Sequence, residues 1–156
     1  YRRYILTGID IHIKIGFARM YPCHGSAYAA DFLRRMHYLL DSKIENIQTD
    51  NGSEFAKYFE KAAEQLKLIH YHSRVRTPKD NPFDERFNRT LEDEFIDLGH
   101  LTNDCGIFNR ELTEWLVEYN FNRPHQSLNY LTPIQFETNY SKVLPMYPSS
   151  TDHLQV

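Results

Sequence analysis

Apolar residues cluster in short runs separated by polar stretches, and the runs change period along the chain. RYILTGIDI, residues 3 to 11, has the density of a buried strand, and KIGFARMYP, residues 14 to 22, reads as a second strand joined to it by a turn around His12. From Ser26 to about Leu40 the spacing becomes helical, with Ala29, Phe32, Leu33, Met36, Leu39 and Leu40 on one face and Ser26 as a candidate cap. Residues 44 to 49 form a short strand ending at Asp50. Ser53 is a plausible cap for a helix reaching Leu66, and LIHYHS, residues 68 to 73, is another strand.

RVRTPKDNP, with two prolines, reads as a loop. Asn81 can cap the next helix, with Pro82 at its first position, and that helix should reach about Leu98. A further amphipathic helix runs from Asp104 to Asn120, with Phe108, Leu112, Trp115, Leu116 and Tyr119 on one side. NFNRPHQSLNYL is irregular, and here Arg123 and His125 read as parts of a structured loop in preference to DNA or partner contacts. Thr132 and Pro133 open a short helix to about Asn139. Residues 141–156 look like a tail and residues 1–140 like one domain. Strands alternating with helices indicate an α/β sheet covered on both faces, in which ligands sit outside the carboxyl ends of strands.

Composition narrows this picture only a little. With 41% hydrophobic and 25% charged residues the chain is of ordinary globular type, and no apolar run approaches the ~20 residues of a membrane span. Cys23 and Cys105 make no disulfide framework and are read as reduced thiols of a cytosolic protein. His70 and His72 share one strand face, where structural use is expected. The net charge of -3 argues against a strongly basic, autonomous nucleic-acid-binding domain. Yet Arg74, Arg76, Lys79, Arg86 and Arg89 are packed into one short interval.

Two carboxylates stand out against this background. QTDNGSEF, residues 48 to 55, puts Asp50 at the end of a buried strand, followed by Asn-Gly. The plain reading is a turn; the alternative is a metal ligand at the mouth of a sheet. On a helical wheel Phe83, Phe87, Leu91 and Phe95 share a stripe, while Glu85 lies opposite, with Arg89 one turn on. Glu85 alone reads as a solvated acid near a helix N-terminus, paired with Arg89. Together the two acids could hold Mg²⁺, which takes one or two carboxylates plus water and substrate phosphates. Basic side chains nearby would hold a polynucleotide backbone.

QTDNGSEF, then RTPKDNPFDERFNRTLEDEF, then WLVEYNFNRPHQSLNYLTPIQF occur in this order, and Asp50 and Glu85 stand 35 positions apart. In these features the chain resembles the integrase catalytic core of bacterial insertion-sequence transposases and retroviral integrases, the bacterial branch more than the viral one. The resemblance implies a ribonuclease-H-like mixed sheet flanked by helices. It implies DNA-end cleavage and strand transfer into target DNA, with Mg²⁺ or Mn²⁺, two ions when DNA is bound. It also implies a homo-oligomer working on DNA in the bacterial cytoplasm at the nucleoid, without a membrane. Asp50 and Glu85 would be the catalytic metal ligands; Arg76, Lys79, Arg86, Asn88 and Arg89 would contact DNA or support the helix.

The first acid of the family's triad is the point of departure. YILTGIDIHIKIGFARMYP resembles the second and third strands of that fold, so Asp10 is read as the second strand's own Asp. On this reading the first strand and its acid lie upstream of Tyr1, and β-pairing groups on the strand of Asp10 face an empty slot. The alternative is that Asp10 completes the catalytic triad on a shortened sheet. The competing readings of function are a ribonuclease-H-like nuclease that only hydrolyses, and an inactive remnant that binds DNA or assembles with other subunits.

Overall fold

The computed structural model describes residues 2–41, 43–74, 82–143 and 153–155. Strand β1 (Tyr4–Asp10) runs antiparallel to β2 (Gly16–Tyr21), with Tyr4 opposite Tyr21 and Ile9 opposite Gly16. Period-2 alternation sends Ile5 and Ile9 to one face of the sheet and Leu6 to the other. Helix α1 (Ser26–Leu39), strand β3 (Asn46–Thr49), helix α2 (Tyr58–Gln65) and strand β4 (Ile69–His72) follow. Then come α3 (Pro82–Leu91), α4 (Cys105–Val117), α5 (Pro133–Val143) and a last strand, β5 (His153–Gln155).

The sheet has the order β2-β1-β5-β3-β4. Strand β5 lies antiparallel to β1 and parallel to β3, and β3 is parallel to β4. Residues 153–155, which the sequence gives as tail, thus stand in the central slot beside the strand of Asp10. Hydrogen-bonding edges of β1 and β3 face each other across that slot, and a strand between them satisfies both. Helix α5 also extends beyond Asn139 into the expected tail.

Two apolar layers cover the sheet. Phe32, Leu33 and Met36 of α1 pack with Phe59 of α2, Phe55 and Ile47 on one face. Phe87 and Leu91 of α3 pack with Phe95, Phe108 and Leu112 against Ile9 and Met20 on the other. Full burial of a side chain such as Phe87 contributes roughly 1.5–3 kcal/mol. This α/β arrangement, covered on both faces, is the one expected from the chain's periodicity. Among the described residues no helix is long and apolar enough to cross a membrane.

Local chemistry departs from expectation at several joints. Ser26 does not cap α1; its hydroxyl accepts from the Tyr58 backbone N–H at 3.2 Å and so ties α1 to α2. Residues 53–66 are not one helix: a 3₁₀ turn, Ser53–Phe55, precedes α2, and Lys57, at φ 46°, separates them. Asn81 lies outside the described residues. Helix α3 passes into a π-helical stretch, Glu92–His100, and Gly99 adopts φ 98° near its end. Asp104, expected only as the start of the next helix, caps α4 by accepting from Ile107 N–H at 3.0 Å. Trp115 is half-buried against the α3–α4 layer, as its register suggests.

Two contacts fix α3 and α4 on the sheet. A Cβ on Gly16 would come within 2.5 Å of the Phe87 ring, so glycine lets α3 seat directly on β2. Asn120 bonds both Gly16 N–H and Gly16 C=O, each at 2.9 Å, and is buried there.

Candidate active site

Asp50 follows the last residue of β3 and is exposed. One carboxylate oxygen, Oδ1, accepts from Gly52 N–H at 2.7 Å. The backbone around it is tied down. Its carbonyl accepts from the Thr49 hydroxyl at 2.9 Å and contacts His72 Nδ1 at 3.3 Å; Asn51 donates to Ser73 C=O at 2.9 Å. The turn read from Asn-Gly is therefore present, and the carboxylate projects from it. His70 and His72 have the structural use expected of them. His70 sits 2.8 Å from the Thr49 hydroxyl and edge-on to Phe59, and burial lowers its pKa.

Glu85 occupies the first turn of α3 and is exposed. Its neighbour Asp84 points inward, only 6% exposed, accepting from the Thr7 hydroxyl of β1 and from Asn88 Nδ2, each at 3.2 Å. Asn88 is thus engaged within the helix rather than projecting freely. Arg89 does not pair with Glu85; its Nε lies 4.0 Å from Asp93, one turn on. Among the described residues neither Glu85 nor Asp50 is in an ion pair. Arg86 is exposed on α3. Arg76 and Lys79 lie outside the described residues.

Asp10 has a different environment. It ends β1, is 1% exposed, and its Oδ1 accepts from His12 N–H at 2.8 Å and Ile13 N–H at 2.9 Å. That pair of bonds closes the turn into β2, a familiar use of Asp at such a corner. Its Oδ2 is buried and has no hydrogen-bond partner among the described residues, and burial raises the carboxyl above its ordinary pKa.

A further acid stands beside Asp50 that sequence reasoning did not single out. A Cβ on Gly52 would meet Glu54 Oε2 at 2.5 Å and Asp50 Oδ1 at 2.9 Å, so both carboxylates crowd the same glycine. Glu54 in turn pairs with His24 Nε2 at 2.8 Å. Only its place in the Asn-Gly-Ser-Glu turn could have pointed to it. Among the described residues no three acidic, imidazole or thiol groups are close enough together to hold a metal ion. The donors still suit a hard cation. Asp50 keeps one oxygen, and Glu85 both, clear of hydrogen bonds to described residues, and carboxylate oxygens are the ligands Mg²⁺ and Mn²⁺ prefer.

Comparison with known proteins gives this geometry a family. Residues 66–133, which include α3, α4 and the Arg123–Leu128 loop, match the model of an integrase core domain. The ORF3 protein of Spiroplasma virus SpV1-C74, named for an integrase, is 30% identical over 159 residues, covering 90% of this chain and 43% of its own. The 31.7 kDa protein of insertion element IS407 from Burkholderia multivorans is 30% identical, covering 85% of this chain and 45% of its own. The chain therefore spans less than half the length of these curated relatives. Among solved structures, the catalytic core domain of bovine immunodeficiency virus integrase superposes with a TM-score of 0.65 at 19% identity, covering 89% of both chains. A simian T-cell lymphotropic virus intasome, in complex with the PP2A regulatory subunit B56 gamma, gives 0.70 at 19% identity, covering 85% of this chain and 47% of that one. Both likenesses are of fold, the ribonuclease-H-like one. With sequence relatives among insertion elements and a matching domain model over residues 66–133, the chain is similar to the integrase core of transposases and integrases.

Proposed function

We propose that this chain carries the core of a DNA transposase that cleaves element ends and joins them to target DNA by in-line phosphoryl transfer. The observation that carries the reading is the pair Asp50 and Glu85. Each is exposed, each is free of ion pairs among the described residues, and each is mounted on an element fixed to the core.

Asp50 and Glu85 would hold the divalent ion, Mg²⁺ or Mn²⁺. Bound there, such ions polarise the phosphodiester and stabilise the attacking and leaving oxygens. The chain's own residues do the remaining work. The Asn51–Ser73 bond and the Gly52 turn hold Asp50 outward. The Thr7–Asp84–Asn88 chain fixes the rotation of α3, and with it the direction of Glu85. Arg86 and Arg89, with Arg76 and Lys79, supply positive charge for backbone phosphates. Asp10 serves the β1–β2 turn instead of the metal set. In the complete protein the unit that acts on DNA would be an oligomer of such chains.

A second reading has one observation in its favour. Even with Glu54 beside Asp50, no three such groups among the described residues are close enough together to hold a metal ion, which also suits an inactive module that binds DNA or assembles with active subunits. Cleavage and strand-transfer assays on DNA carrying element ends, with Mn²⁺, separate the readings. Both products are expected from the wild type and neither from Glu85→Gln. Hydrolysis without joining would assign a nuclease, and equal products from the variant would remove Glu85 from the site.

A further inference from the structure

A cavity of about 210 Å³ opens between α3, the β1–β2 turn and the loop after α4. Every charged side chain lining it is cationic or can become so: Lys14, Arg86, Arg123 and His125. In a chain of net charge -3, such a one-signed lining is not a sample of the average surface. Thr90, one turn beyond Arg86 on α3, the buried Tyr119, Gln126 and Ser127 make up the uncharged polar part of the wall. No hydrogen bond among the described residues engages the Tyr119 hydroxyl, and burial pushes that phenol up to about 12, so it is a donor at neutral pH.

The wall is preformed. Arg123 N–H donates to Glu118 C=O at 2.9 Å, and the backbones of His125 and Leu131 bridge at 3.0 Å. The His125 ring stands edge-on to Tyr119 with centroids 4.8 Å apart. The Arg123 guanidinium pairs with Glu94, which is not part of the lining and leaves further donors free. Lys14 is held over the Phe83 ring, 3.6 Å from its centroid, and also donates to Ile11 C=O. Burial, with Arg86 nearby, lowers Lys14 to about 8, against the opposing pull of the Asp10 carboxylate. The volume would hold roughly seven waters at ~30 Å³ each, ample for a phosphate group.

We propose that this cavity is a phosphate-binding subsite that seats one backbone phosphate of the DNA running along α3. It rests on the reading of the chain as a DNA-acting core and gives the RPHQS segment a function in it. Lys14 and Arg86 approach the phosphate from the turn and the helix, Arg123 and His125 from the loop. On α3, Arg86 and Thr90 lie about 100° around the axis from Glu85 and Arg89. The phosphate in the cavity is therefore separate from the one at the metal site.

The test uses the whole chain and a short blunt DNA duplex, with affinity measured against salt concentration. Each neutralised phosphate contributes roughly 0.9 to the slope of log K against log salt. Arg86→Gln and Lys14→Gln should each lower that slope by about one, and the double variant also by about one, because both cations share a single phosphate. Unchanged slopes overturn the proposal with DNA binding intact, and so does a loss of about two in the double variant. Arg86 is exposed on a helix, so its variant should fold even if Lys14→Gln does not. A second arm titrates inorganic phosphate into the protein by amide NMR. Shifts at Lys14 and residues 119–127 that vanish in Arg86→Gln support the site. If those shifts appear but the wild type binds no duplex, the phosphate chemistry stands, the source is free phosphate, and the DNA reading fails. No shifts, together with unchanged salt slopes, overturn the subsite.

Discussion

Asp10 and Asp50 are the same residue at the same kind of place, the carboxyl end of a strand, and they have opposite environments. Asp10 is sealed under the β1–β2 turn with two backbone N–H groups on one oxygen. Asp50 stands exposed beyond β3 with one N–H on one oxygen. The first carboxylate is used up by the fold, and burial makes its charge costly. The second is held in place by its backbone while its side chain stays open to a ligand. What distinguishes a candidate ligand from a structural acid is therefore where its hydrogen bonds go, not its residue type or its position on a strand.

The variant with the largest expected effect acts on the open side of the comparison. Glu85→Gln should lower DNA cleavage at least about a hundredfold, which corresponds to roughly 2.7 kcal/mol of barrier. Its stability should stay within about 0.5 kcal/mol, because the side chain is exposed and in no ion pair among the described residues. Matched assays of cleavage and urea unfolding check both halves, and a loss of stability equal to the loss of activity would erase the distinction.

On the sealed side, Asp10→Ala should cost about 1–3 kcal/mol of stability by leaving two turn N–H groups without their acceptor. Asp10→Asn keeps that acceptor and should cost much less. The pH dependence sharpens the contrast. The native state holds the Asp10 proton more tightly than the unfolded chain does. This group therefore favours folding below its ordinary 3.8, and that contribution is lost as pH rises through the raised native value. Asp10→Asn should flatten that part of the stability–pH curve.

Smaller effects follow from two glycines. Gly16→Ala drives a methyl into the Phe87 ring and should cost about 1–3 kcal/mol by overpacking, measured by thermal unfolding. Gly52→Ala meets the ends of Glu54 and Asp50, which can swing aside. It should leave stability within about 1 kcal/mol, the common range for point variants, and show itself in weaker metal binding.

Long periodic segments were legible in the sequence because their apolar stripes do not depend on distant partners: α1, α4 and the Phe87–Leu91–Phe95 face are examples. Asp50 and Glu85 could be nominated for the same reason, one by a turn motif and one by falling off an apolar stripe. Strand β5 was not legible. It has three residues and no period to detect, and it forms because β1 and β3 present facing edges. Lys57 broke a helix whose composition continues through it. Glu54 beside Asp50, and the Thr7–Asp84 bond beneath Glu85, join residues through tertiary geometry alone. Arg123 and His125 were visible as a structured loop, but the cationic wall they form with Lys14 and Arg86 depends on how that loop lies against α3.

Mn²⁺ titration followed by electron paramagnetic resonance tests most directly whether Asp50 and Glu85 are the ligands and Asp10 is not. Wild type, Asp50→Asn, Glu85→Gln and Asp10→Asn would be measured side by side. Saturable binding is expected in the wild type and in Asp10→Asn, and sharply weakened binding in the other two. Binding that disappears with Asp10→Asn, or that survives unchanged without Asp50 and Glu85, would contradict the assignment.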